Sequence, residues 1–218
     1  MMLSKRSQQS AQKKNLIAYS SPDSAISDQF RTIRANLQFI SKKKKQGVFL
    51  ITSPGNREGK STVAANLAVS MALQKERVLL IDASMKDPST QSIFHIPNEA
   101  GLTNILMYDV KPEEVIQQAE VETLNIITSG STVFSPAELI GSEAMTGFIQ
   151  RIKEQYDAVI IDSPSVLHAS ETRMLAHQCD GVVLVINRYK TERKDIEEAR
   201  KVLELAGAQV IGGIMNEA

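Results

Sequence analysis

Tryptophan is absent from this 218-residue chain, aromatic residues make up only 5%, and there is a single cysteine. One cysteine excludes an internal disulfide framework, so the fold must be held by its core. Cys179, just ahead of the apolar run Val182–Ile186, is expected to be a small buried hydrophobe. Net charge is missing too: 25 basic and 25 acidic side chains cancel, which gives no electrostatic case for a nucleic-acid partner. No apolar stretch reaches the length needed to cross a bilayer, and the first residues are polar rather than signal-like. The chain is therefore expected in the cytoplasm. His95, His168 and His177 lack metal-ligand spacing and are assigned no chemistry.

What charge there is lies in patches. Lys5, Arg6, Lys13 and Lys14 fall in a polar arm expected over residues 1–23, ahead of a single domain over 24–218. Lys42 to Lys45 form a run before the first apolar strand, read as a solvated helix end or a contact for acidic lipid or protein.

The richest segment begins with the strand Phe49-Leu50-Ile51-Thr52, passes through Ser53, Pro54, Gly55, Asn56, Arg57 and Glu58, and ends in Gly59-Lys60-Ser61-Thr62. It reads as a phosphate-binding loop with Pro54 where the usual pattern has its first glycine. Gly59 lets the backbone close on a phosphate, Lys60 brings a cation to it, and Ser61 offers a hydroxyl to Mg²⁺. Residues 55–62 are accordingly the expected nucleotide contacts. The helix that follows is expected to be amphipathic through Val63, Leu67 and Met71, and its first amides face the same anion.

Five further strands are predicted at Val78–Ile81, Leu124–Ile127, Ala158–Ile161, Val182–Ile186 and Val210–Met215. Runs apolar on both faces belong in a parallel sheet covered on each side, so the predicted fold is a doubly wound, mainly parallel α/β domain of P-loop NTPase topology. Ligands in such sheets sit at the carboxyl ends of the strands. Asp82 and Asp162 each close an apolar strand at that edge, where a carboxylate can serve a metal ion or accept a proton. Asn216, ending the last strand, is a further candidate for the nucleotide.

Taken together, these segments resemble the bacterial tyrosine kinases of capsule and exopolysaccharide production, a deviant-Walker branch of P-loop proteins. Residues 51–68 resemble Walker A, Leu79 to Pro88 the motif called Walker A′, and Val159 to Pro164 Walker B. The resemblance implies transfer of the γ-phosphoryl group of Mg-ATP to protein tyrosines. Lys60, Asp82 and Asp162 would be catalytic, and Ser61, Asp82 and Asp162 would serve Mg²⁺. Asp28, Arg31 and Arg34 match a family helix that joins subunits into a ring, and helical spacing puts them on one face, opposite Phe30, Ile33, Leu37 and Ile40. A membrane-embedded polysaccharide co-polymerase would activate the kinase through its cytoplasmic tail, holding it at the inner face of the membrane.

This chain departs from the family pattern at Ser84, where a second carboxylate is usual, at Lys86 in place of arginine, at Arg57 in the loop, and at Ser165 after Walker B. Family kinases commonly finish in a tyrosine-rich tail, whereas this sequence ends at Ala218. Acceptors are therefore expected on other proteins or at Tyr19 or Tyr189, while Tyr156 is expected to pack. Two other readings stay open: a MinD- or ParA-like ATPase switch, against which stands Gly55 at the position of the signature lysine, and an ATP-binding scaffold.

Overall fold

The computed structural model describes residues 16–41 and 46–217. Its elements run α1 (Ile17–Ser20), α2 (Ala25–Ser41), β1 (Gly47–Thr52), α3 (Lys60–Ala72), β2 (Val78–Asp82), α4 (Thr90–Phe94), α5 (Leu102–Tyr108), α6 (Pro112–Val115), β3 (Gln117–Gln118), β4 (Leu124–Ile127), α7 (Pro136–Ile140), α8 (Glu143–Gln155), β5 (Ala158–Asp162), α9 (Ser170–Gln178), β6 (Gly181–Asn187), α10 (Arg193–Leu205) and β7 (Val210–Asn216).

The strands form one seven-stranded sheet in the order β3-β4-β2-β5-β1-β6-β7. Every pairing is parallel except β3 with β4. β1, β2 and β5 are buried along their whole length, as strands covered on both faces must be. One face packs Leu79, Ile81 and Ile161 against Phe148 and Ile152 of α8 and Leu203 of α10. The other packs Phe49, Leu80 and Ile160 against Leu67 and Met71 of α3.

The predicted strands are all present, and the sheet adds β3, whose two glutamines carry no apolar signal. α3 departs from expectation. Instead of an amphipathic surface helix it is buried from Val63 to Ala72 on every side, because α1 and α2 cover the face turned away from the sheet. Within the stretch read as an arm, Ile17–Ser20 thus form a helical turn against the domain. Ala18 is buried there and its amide donates to Asn66 Oδ1 of α3 at 2.9 Å. The Lys5 to Lys14 cluster and the Lys42–Lys45 run lie outside the described residues.

This topology sets the site. The chain leaves β1 toward β2 and β4 on one side and later returns to β6 and β7 on the other, so the order reverses beside β1. The loop after β1 opens at that point, where strand ends leave a crevice.

Candidate active site

Gly59 sits at the N-cap of α3 with φ of +87°, a left-handed conformation that costs glycine little. A Cβ there would lie 2.1 Å from Asn216 Nδ2, so close approach of the β7 end also demands glycine. No side chain caps α3 and its first turn holds no acidic residue, which leaves its amino end open to an anion.

Asn56, Arg57, Gly59, Lys60, Ser61 and Thr62 line one wall of a cleft of about 540 Å³. Ser84, Lys86, Asp87 and Ser89 from the loop after β2 face them, and Pro164, Ser165, His168 and Glu171 close the third side. Lys86 and Ser165 reach the site from the Walker A′ and Walker B stretches, whereas His168 and Glu171 join it without any signal in the sequence that assigns them to it. Strand pattern places the loops after β2 and β5 at this edge but does not say which of their later side chains line the cleft.

Two carboxylates stand at the sheet edge beside this cleft. Asp82 and Asp162 are register partners on β2 and β5, and both are completely buried. Their surroundings differ sharply. Asp82 accepts the amides of Ser84 at 2.9 Å and of Ser89 and Thr90 at 3.0 Å, so its charge shapes the loop that leads into α4. Burial raises its pKa against the pull of these amides. Among the described residues neither Asp162 oxygen has a hydrogen-bond partner. Burial and the neighbouring Asp82 push its pKa up to about 8, while Ser61 and Lys60 pull it down by less. The Ser61 hydroxyl is thus near enough to favour the charged carboxylate without a fully formed hydrogen bond.

This donor set fits Mg²⁺ in one specific manner. No cluster of three or more acidic, histidine or cysteine side chains among the described residues could cage a metal alone. A hydroxyl, one orphaned carboxylate and room for phosphate and water match the way Mg²⁺ is held beside a nucleotide.

The remaining expected residues fall in other places. Glu58 is buried and turned away from the cleft: its carboxylate accepts the Gly55 amide at 3.0 Å and the Thr191 hydroxyl at 2.6 Å. Asn216 does not line the cleft and donates to the Glu58 carbonyl at 3.0 Å. On α2, the structure separates three residues that helical spacing puts on one face. Asp28 and Arg31 form an exposed ion pair, whereas Arg34 folds back and donates to the Ser70 carbonyl of α3 at 2.7 Å. Tyr156 packs as expected, with its hydroxyl accepting from Asn125, and Tyr19 and Tyr189 are exposed, as is Tyr108. Cys179 is half-buried against the core, where its thiol donates to the Leu175 carbonyl and burial raises its pKa.

A phosphate loop at the switch point of a doubly wound sheet, with strand-end aspartates beside it, defines a P-loop nucleotide-binding protein. The AAA domain family matches residues 55–204. The chain is 37% identical over 215 residues to the tyrosine-protein kinase YwqD of Bacillus subtilis, covering 99% of this chain and 91% of that one. It is 33% identical over 202 residues to the putative tyrosine-protein kinase CapB of Staphylococcus aureus, covering 93% and 89%. Among solved structures, the chimerical protein CapA2B2 matches with a TM-score of 0.89 at 33% identity, over 94% of this chain and 90% of that one. The septum site-determining protein MinD of Pyrococcus horikoshii, complexed with Mg-ADP, matches with a TM-score of 0.65 at 26% identity, over 78% and 70%. The chain belongs to the bacterial tyrosine-protein kinase family, whose P-loop domain binds nucleotide.

The Asp162 environment has a consequence for stability. The unfolded chain loses this proton near the ordinary carboxyl value of 3.8, while folded Asp162 keeps it up to about 8. Between those values the folded state binds more protons, so stability without nucleotide or metal falls as pH rises through the window. Asp162→Asn is expected to melt several degrees above the native chain at pH 8, with the gap closing as pH falls toward 4. Thermal melts across that range check this, and a gap that stays constant with pH would contradict it.

Proposed function

We propose that this chain transfers the γ-phosphoryl group of Mg-ATP to tyrosine hydroxyls of proteins in exopolysaccharide or capsule production. The observation that carries the reading is Asp162, a buried carboxylate with two open oxygens beside Lys60 and Ser61, in a chain 37% identical to a tyrosine-protein kinase.

The tyrosine oxygen attacks the γ-phosphorus, the bond to the β/γ-bridging oxygen breaks, ADP leaves with that oxygen, and the phenolic proton passes to water. Such a transfer needs charge neutralised and groups held in line more than it needs covalent chemistry. Lys60 offsets the charge that builds on the bridging oxygen. The open amides at the start of α3 bind the phosphates. Ser61 would offer its hydroxyl to Mg²⁺, and Asp162 would hold the ion through water. The ion bound there would supply charge neutralisation to the phosphates.

Asp82 has the weaker case as a base, since three amides already occupy its oxygens. Its part is to hold Ser84 and Ser89 at the cleft. Asn56, Arg57, Gly59 and Thr62 complete the nucleotide wall, with Gly55, Glu58 and Asn216 acting behind it.

Among the described residues no helix is long and apolar enough to cross a membrane. A membrane-embedded activator, acting through its cytoplasmic tail, would bring the chain to polysaccharide export machinery. The exposed Asp28–Arg31 pair shares a face of α2 with Phe39, which is 75% exposed, and this face suits a contact between copies of the chain. Arg34 serves that contact indirectly, by fastening α2 to α3.

Incubation with Mg-ATP, with and without the activator's cytoplasmic tail, is expected to give tail-stimulated phosphotyrosine. Lys60→Met and Asp162→Asn should each lower it by about 100-fold or more, as loss of a charge-stabilising group does. ATP hydrolysis with no phosphotyrosine would sink the kinase reading and favour a MinD-like switch. Light scattering of Arg31→Ala tests the α2 face: the average mass should fall toward the monomer, and an unchanged mass would remove the role assigned to this face.

A further inference from the structure

The phosphate loop is tied to the far edge of the sheet by residues more than 130 positions away in sequence. Two loop residues are held. The Lys190 ammonium donates to the Asn56 carbonyl, Asn216 donates to the Glu58 carbonyl at 3.0 Å, and the Thr191 hydroxyl donates to the Glu58 carboxylate at 2.6 Å. That carboxylate in turn accepts the Gly55 amide at 3.0 Å. The relative exposure of Glu58 is only 2%, a burial that an acidic side chain tolerates when its oxygens are satisfied.

Thr191 is itself held in place. Its hydroxyl accepts the Asn187 amide at 2.9 Å while donating to Glu58, so the proton direction is fixed by the backbone. The Asn187 side chain accepts the Tyr189 amide at 3.0 Å, and the Arg188 amide donates to the Asn216 carbonyl at 2.9 Å. The turn between β6 and α10 is therefore a rigid bracket, and Glu58 is the strut from it to the loop.

A loop whose amides must converge on a phosphate loses conformational freedom on binding unless it is already shaped. With Gly55 N–H turned inward to Glu58, the loop's curvature is set ahead of the anion's arrival. The later amides at the start of α3 are left facing the cleft. We infer that Glu58 and Thr191 are positioning residues for nucleotide binding, which preorganise the phosphate loop from the β6–α10 turn without touching the nucleotide. This rests on the reading of the cleft as a nucleotide site, and it adds an element outside the Walker motifs to the binding machinery.

The discriminating variants are Thr191→Val, which keeps shape and removes the donor, and Thr191→Ser, which keeps the donor. Titration of the full chain with a fluorescent ADP analogue and Mg²⁺ should show Thr191→Val binding about tenfold more weakly, the scale expected for losing a hydrogen bond to a buried charge. Thr191→Ser should bind as the native chain does. Turnover at saturating ATP should stay within about twofold of native in both, which a general loss of structure would not allow. Native affinity in Thr191→Val, or equal losses in the two variants, would overturn the inference. Should Thr191→Val fail to fold, Lys190→Met on the exposed side of the turn keeps the question open to refutation. A few-fold weaker affinity supports the bracket and unchanged affinity overturns it. A native chain that takes up no nucleotide would overturn both the reading of the cleft and this inference. Failure of phosphotransfer alone would leave the affinity comparison standing.

Discussion

Burying a carboxylate without a hydrogen bond is among the most costly things a folded chain can do, and Asp162 is such a group, with a second carboxylate as its register partner. The parallel pairing of β2 with β5 forces the adjacency, since both strands end in aspartate at the same level of the sheet. The fold resolves it unequally. Asp82 is given three backbone amides and becomes a structural anchor, while Asp162 is left open toward Ser61 and Lys60. Such an arrangement is unfavourable for the empty protein and favourable once a cation and phosphates arrive. On the proposed reading, the fold would thereby favour the Mg-nucleotide state over the empty one.

The phosphate loop is the second half of that arrangement. Its anion-facing part depends on Gly59 and the open start of α3, and its inward part on Glu58, Thr191 and Asn216. Because α3 is packed on all sides, the loop cannot adjust by moving the helix behind it. Strain at one end would have to be taken up by the turn between β6 and α10. The catalytic end of the sheet is thus braced from β7 at one edge and from the Asp82 loop near the other.

Much of this is legible in the amino-acid pattern, because the strands are continuous apolar runs and fully covered parallel strands need them. The phosphate loop and the two strand-end aspartates are legible for the same reason: each lies directly after such a run. β3 is not, since two glutamines have no pattern. The environment of α3 escapes periodicity because small residues such as Ala64, Ala65 and Ala68 suit burial on any face, and spacing cannot tell which neighbours will cover them. Helical spacing places Arg34 with Asp28 and Arg31, yet a long side chain can reach back across its own helix, and Ser70 supplies the acceptor. Glu58 looks like a loop residue facing ligand; its partner Thr191 lies 133 residues away, and nothing local to the loop announces it.

Central to this account is that burial and the neighbouring Asp82 raise the Asp162 pKa, so that binding of Mg-nucleotide at this carboxyl would displace a proton. Calorimetric titration with Mg-ADP near pH 7, in two buffers of different ionisation enthalpy, measures that proton directly. The native chain should release close to one proton per nucleotide bound, and Asp162→Asn should release essentially none. Binding of Mg-ADP with no proton released by the native chain, or with the same release from Asp162→Asn, would contradict the claim that this buried carboxylate is the group on which the site is built.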